Sequence, residues 1–195
     1  MSTLIEFYDK DTLKNITAPL TLKPDKVAFI YDEGLTDLNR FRSLEKCFRR
    51  HMPKIVLEYY PVNILSIDEI YITAMNIIKN NFDCMMELTG GSELMLIAGY
   101  KAGSETNIKL VYTDLIKGII FDLNNKRDFV KTLPLRLVDF VDAKGAEFIG
   151  NSHIVPEEED YERILKMCDI IFDHIEEWKS TCTFFQTIIS HFDID

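Results

Sequence analysis

The sequence is sparing with the residues that staple a chain, span a bilayer or grip nucleic acid. Its 195 residues include four cysteines, Cys47, Cys84, Cys168 and Cys182. They lie far apart, each within an apolar pattern, which excludes a disulfide scaffold and describes buried free thiols in a reducing compartment. No apolar run reaches the roughly 18 residues that mark a membrane-spanning helix. The first residues, MSTLIEFYDKD, lack a basic stretch followed by an apolar core, so no secretory signal is expected. A cytoplasmic protein with no membrane contact is the expectation. Positive charge is scarce too: 22 Lys and Arg stand against 32 Asp and Glu, a net charge of -10. Nothing resembles a basic stripe, which excludes long duplex nucleic acid as a partner. His51, His153, His174 and His191 share no ligand spacing with cysteines or acids, so neither a metal site nor a cofactor is expected.

The acidity is not spread evenly. From Pro156 onward there are eleven acids and three bases, a balance of -8 out of the total of -10, which leaves -2 for residues 1 to 155. The body of the protein is therefore close to neutral, and a small anionic ligand fits there. The EEED run at 157 to 160 reads as a solvated helix start whose charges complement the helix dipole.

Hydrophobic residues make up 47% of the chain, enough for one main core. Runs rich in β-branched and aromatic residues predict strands at Thr3 to Tyr8, Lys26 to Tyr31, Lys54 to Tyr59, Cys84 to Leu88, Asn107 to Thr113 and Ile116 to Leu123. Helical patterns fill the gaps. Leu38, Phe41, Leu44, Phe48 and Met52 share one face behind Thr36, and Ser66-x-x-Glu69 is a capping box ahead of a buried face of Ile67, Ile70, Tyr71, Ala74, Ile77 and Ile78. The alternation implies right-handed crossovers and a mainly parallel sheet covered on both faces: an α/β, Rossmann-like fold. Only Asp114 and Leu115 separate the last two strands, which reads as an antiparallel hairpin at one sheet edge. Beyond Asn125 a short helix is expected near Leu135 to Val141. A long one should follow, with Tyr161, Ile164, Leu165, Cys168, Ile171, Phe172, Ile175 and Trp178 on one stripe. The division expected is a ligand-binding domain at 1–125 and a helical dimerisation or linker segment at 126–195.

Two loops carry the chemistry. LTGGSELM, from Leu88, passes from the fourth strand into a helix. Its glycines let backbone come close to a ligand, and the first amides of the helix point outward. Thr89, Gly90, Gly91, Ser92 and Glu93 thus form a candidate anion site made of backbone dipoles. The plain alternative is a tight turn with Ser92 as N-cap. The loop is neither a Walker A sequence nor a GxGxxG fingerprint. After the first strand comes Asp9-Lys10-Asp11-Thr12-Leu13-Lys14-Asn15, again polar and again strand into helix. Asp9 or Asp11 can cap that helix. If the two strands are neighbours, the loops converge on one crevice beyond the carboxyl ends of the strands.

LIEFYDKDTLKNI, KPDKVAFIYD and TGGSELM together resemble the CARF domain, most closely the CARF sensors fused to restriction-endonuclease-like nucleases in type III CRISPR defence. The resemblance covers roughly residues 1 to 125 and rests most on Thr89, Gly90, Gly91, Ser92 and Met95. It implies a homodimer that binds a cyclic oligoadenylate messenger, most often cyclic tetra-adenylate, across its twofold axis and switches a fused or associated nuclease effector. It also implies that Asp11, Thr12, Lys14 and Asn15 line adenine and ribose while the TGG turn holds phosphate. Glu93 stands where the family has lysine. It must face solvent, complement the helix N-terminus or signal a changed ligand, and Lys14, Lys10 or a lysine from the partner subunit can restore the charge. The family's nuclease residues have no counterpart after Pro156.

A binding module needs no catalytic group, and none is assigned. A second reading makes the crevice a metal-independent ring nuclease in which a ribose 2′-OH attacks the adjacent phosphate, helped by Thr12, Lys14 or Ser92. A third, an unrelated Rossmann-like enzyme with a nucleotide cofactor, requires a glycine fingerprint after the first strand. DKDTLKN stands there instead.

Overall fold

The computed structural model describes residues 2–36, 39–125 and 129–146, and positions 163, 166, 170, 173–175, 177 and 179–181. Seven strands form one sheet: β1 (Thr3–Phe7), β2 (Lys26–Asp32), β3 (Val56–Val62), β4 (Cys84–Glu87), β5 (Lys109–Asp114), β6 (Ile119–Asp122) and β7 (Phe129–Lys131). Their order across the sheet is β3-β2-β1-β4-β5-β6-β7. The first five strands pair in parallel and the last two are antiparallel additions. Helices α1 (Thr12–Leu22), α2 (Asn39–His51) and α5 (Leu137–Lys144) belong to one face, α3 (Ile67–Asn80) and α4 (Glu93–Thr106) to the other. This is the α/β, Rossmann-like class that the alternation of patterns implied.

Period two in the strands builds both cores at once. Ile5, Phe7, Ala28, Ile30 and Met86 pack under Ile70, Ala74 and Ile77 of α3 and Ala98 and Ala102 of α4. Leu4, Val27, Phe29 and Val111 face Ile16 and Leu20 of α1 and Leu44, Cys47 and Phe48 of α2. Parallel strands buried on both faces need apolar residues throughout, which is why VAFI in β2 shows no alternation.

Local signals locate the element ends. Ser66 caps α3 by accepting from the Glu69 amide at 3.3 Å, as the capping box requires, but the Glu69 carboxylate accepts from Asn63 N at 3.1 Å. It thereby ties the β3–α3 loop down. The hairpin differs from the sequence reading. β5 continues to Asp114, whose carboxylate accepts from the amides of Ile116 and Lys117, and β6 begins only at Ile119. β7, too short and too exposed to leave an apolar pattern, lies outside β6, so the sheet edge is β7.

The chain divides into two compact units, Met1–Phe148 and Ile149–Asp195. Within the second, the described positions from Arg163 to Thr181 are helical apart from a turn at His174. Most of the expected apolar stripe, including Trp178, lies outside the described residues, as do Cys168 and Cys182. No helix among the described residues is long and apolar enough to cross a membrane. Cys47 and Cys84 are free thiols; burial pushes Cys47 up to about 12 and also raises Cys84.

Helix α5 is held to α2 by charge. Asp142 accepts from Arg50 Nε at 2.9 Å and pairs with Lys46 at 3.0 Å, while the fully buried Asp139 meets His51 Nε2 at 2.7 Å and Arg136 Nη2 at 3.1 Å. Burial alone would raise Asp139, but hydrogen bonds from Arg136 and His51 outweigh it and hold the carboxyl at about 2. A folded-state value below the unfolded one gives stability that is present above about pH 4 and lost as pH falls through 2. Asp139→Asn should therefore lower the stability at pH 7 by roughly 2 kcal/mol, with the gap to the parent closing in acid. Urea midpoints at pH 7 and in strong acid check this.

Candidate ligand-binding crevice at the carboxyl edge of the sheet

β1 lies between β2 and β4, and the direction of winding reverses there: β2 and β3 extend to one side, β4 and β5 to the other. Such a reversal leaves a crevice beyond the carboxyl ends of the strands, because the two following loops diverge over opposite faces. Here Tyr8-Asp9-Lys10 leaves β1 and Leu88 to Ser92 leaves β4. The two loops the sequence singled out are neighbours.

They are also bonded. Asp9 Oδ2 accepts from Gly91 N at 3.1 Å and from Lys14 Nζ at 3.0 Å, and Asp9 Oδ1 accepts from Asp11 N at 2.8 Å. Asn15 grips the same residue from behind, its Oδ1 accepting from Asp9 N at 2.8 Å and its Nδ2 donating to Asp9 O at 2.7 Å. Burial works to raise Asp9, but the Asp11 and Gly91 amides and the Lys14 ammonium together hold it below the usual carboxylate range. Lys14 is raised in turn, chiefly by its hydrogen bond to Asp9. Gly90 permits the approach: a Cβ there would lie 2.6 Å from the Phe7 carbonyl oxygen and 3.2 Å from Asp9 Cβ. Gly91 has φ 87°, a conformation that side chains other than glycine's rarely adopt.

The crevice has a volume of about 270 Å³ and is lined by Tyr8, Asp9, Lys10, Asp32, Leu35, Ile64, Gly91, Ser92 and Met95. Of the residues expected from the sequence, Gly91 and Ser92 line it. Ser92 caps α4 by accepting from Met95 N, and the amides of Ser92, Glu93 and Leu94 have no partner among the described residues. Glu93 is exposed in the first turn of α4, so it both faces solvent and complements the dipole. Asp11 caps α1 through Leu13 N, and Lys14 is committed to Asp9. The Thr89 hydroxyl turns inward: it donates to Glu87 and accepts from Thr113 N at 2.7 Å. Thr12 and Asn15 are buried and line a second hollow of about 150 Å³, beside Tyr8, Arg40, Leu44, Ala143 and Lys144.

Tyr8, Leu35 and Ile64 escaped the sequence reading. An aromatic at the first position beyond β1 was the available signal for Tyr8; Leu35 and Ile64 look like ordinary apolar loop residues. A pair of buried acids escaped as well. Glu6 and Glu87 sit side by side on β1 and β4, each 1% exposed, within otherwise apolar strands. Glu87 accepts from the amide and hydroxyl of Thr89, whereas Glu6 Oε1 has no partner among the described residues. Burial raises both, and Glu87 raises Glu6 further, so Glu6 is the member that keeps its proton.

No protein-family model matches the chain, and no curated protein does. Solved structures do. Can2 from Sulfobacillus thermosulfidooxidans, in complex with cyclic tetra-adenylate, matches with a TM-score of 0.67 at 15% identity, over 74% of this chain and 39% of Can2. Protein VC1899 from Vibrio cholerae matches with a TM-score of 0.64 at 12% identity, over 74% and 39%. A type III CRISPR defence DNA nuclease activated by cyclic oligoadenylate matches with 0.58 at 13% identity, over 73% and 23%. The chain spans less than half the length of each. At such identities the likeness shows the fold, a Rossmann-like domain. Can2 and the nuclease are a complex with, and an enzyme activated by, the ligand class to which the sequence resemblance pointed.

Proposed function

We propose that this chain is a CARF-type sensor of a cyclic oligoadenylate messenger, first of all cyclic tetra-adenylate, serving a type III CRISPR effector in the cytoplasm. A homodimer sets two crevices about a twofold axis, and each subunit takes half of the ring. Binding draws the loops after β1 and β4 into one of two arrangements and passes that bias to a nuclease, fused or associated. The observation that carries the reading is the junction of those loops at the switch point. Asp9 and Gly91 tie them together, and a hollow opens beside the free amides of α4. The fold shared with Can2 and with the CRISPR nuclease supports it. A phosphate that approaches Gly91 competes with the Asp9 carboxylate for that amide. Occupancy of the turn is thereby coupled to Lys14, which would be released.

Thermal unfolding with cyclic tri-, tetra- and hexa-adenylate tests this. A ring present at 100 times its Kd stabilises the folded state by about 2.7 kcal/mol, a shift of several degrees. Cyclic tetra-adenylate is expected to give the largest shift; no shift with any ring overturns the proposal. The alternative, a ring nuclease, uses the same geometry to align a ribose 2′-OH with the next phosphate. It predicts linear products on long incubation, where a pure sensor returns the ring intact.

A further inference from the structure

Helix α4 presents to solvent a strip that its own domain does not cover. Ile97 and Tyr100 are 56% and 58% exposed on its outer side, and Leu65, just before α3, and Ile72 within it add further exposed apolar surface. Apolar surface gathered in this way on a small domain marks a contact with another molecule. The strip also reads the same from both ends. Three residues either way from Ile97 stand Leu94 and Tyr100, both apolar; four residues either way stand Glu93 and Lys101, of opposite charge. Both charged residues are exposed. Lys101 lies over the Tyr71 ring, 4.7 Å from its centroid, and makes no ion pair among the described residues. Within one chain Glu93 and Lys101 are eight residues apart, about 12 Å along the helix axis, too far to pair with each other. Their complementarity is usable only between two copies. When two such helices lie antiparallel about a twofold axis at Ile97, that residue meets its twin, each Leu94 meets a Tyr100, and each Glu93 meets a Lys101.

We infer that two copies of this chain pair through α4, antiparallel about a twofold axis at Ile97, with Glu93 of each against Lys101 of the partner subunit. The purpose of the dimer rests on the sensor reading, which asks for two crevices about such an axis; the surface that forms it does not. Helix α4 begins beside Gly91 and Ser92, which line the crevice, so the contact starts at the rim of the site. Lys101 of the partner subunit then stands at the first turn of α4, where it offsets the Glu93 carboxylate near a bound phosphate. A single helix strip falls short of the roughly 800 Å² per partner of a standard interface. Leu65 and Ile72 supply apolar surface that extends it.

Sedimentation equilibrium of the full chain over a range of concentrations measures the association. The parent should be dimeric. Ile97→Glu sets two carboxylates against each other on the axis at a position exposed in the single chain, and should give a monomer with unchanged circular dichroism. Glu93→Lys and Lys101→Glu should each raise the dimer dissociation constant about tenfold, since every reversal acts twice across the axis. The double exchange, Glu93→Lys with Lys101→Glu, should restore the parent's value. A parent that is monomeric at every concentration, with or without cyclic tetra-adenylate, overturns the inference, and so does a dimer indifferent to Ile97→Glu. A double exchange no tighter than the single reversals overturns the antiparallel register. The ring keeps the inference apart from the sensor reading. If the dimer obeys these variants and no ring binds, the interface stands and the sensor falls. If the ring binds a chain that stays monomeric, or a dimer that ignores the variants, the reverse holds.

Discussion

Glu6→Gln is expected to stabilise the protein at pH 8, by on the order of 2 kcal/mol, and to have little effect at pH 4. Glu6 is 1% exposed on a central strand, beside a second buried acid, and has an oxygen with no partner among the described residues. Burial, then the charge of Glu87, raise its pKa well above the ordinary carboxyl value. An acid whose folded-state pKa is raised contributes stability that is complete below the unfolded value and lost as pH climbs through the folded one. At pH 8 the parent must either hold a proton against solution or bury a second negative charge. Glutamine removes that choice and keeps the size and shape of the side chain. Glu87→Gln is not its equal, because Glu87 already accepts from the Thr89 amide and hydroxyl, and an amide in its place sets donor against donor. Denaturation midpoints for the three proteins between pH 4 and pH 8 decide the matter. A Glu6→Gln curve parallel to the parent's would mean that Glu6 is not the titrating member.

The fold was legible wherever one residue's chemistry suffices. Ser66 and Ser92 cap helices because a hydroxyl at the N-cap meets an orphan amide whatever surrounds it. VAFI in β2 reads as a strand buried on both faces because the run is short, apolar throughout and rich in β-branched and aromatic residues. Legibility fails where the partner is remote. Nothing near Asp139 in the chain announces His51, and FVK forms β7 only because the edge of β6 awaits a partner. The site divides in the same way. The polar loops after β1 and β4 are visible as strings, and their adjacency follows from strand order. That the Asp9 carboxylate takes the Gly91 amide, and that Thr12 shares a hollow with residues of α2 and α5, depends on how segments far apart in the chain come together.

Gly90→Ala is expected to be the most damaging single change at the crevice, lowering stability by about 3 kcal/mol or more and abolishing ligand-induced thermal stabilisation. The added methyl would meet the Phe7 carbonyl oxygen at 2.6 Å. That oxygen belongs to the backbone of β1, where Phe7 pairs with Ile30 of β2, so it cannot yield as a side chain would. The turn must move instead. Moving it stretches the Gly91–Asp9 bond at 3.1 Å, and with it the arrangement of Asp9, Lys14 and Asn15 that shapes the floor between the two hollows. Ser92→Ala, two residues on, provides the scale: it removes a single cap bond to Met95 N and should cost about 1 kcal/mol while leaving the crevice in shape. Calorimetric unfolding and ligand titration of both variants compare a lost cap with a lost junction. If Gly90→Ala proved as mild as Ser92→Ala and still bound ligand, the two loops would not depend on each other as their geometry requires, and the glycine pair would be no more than a turn.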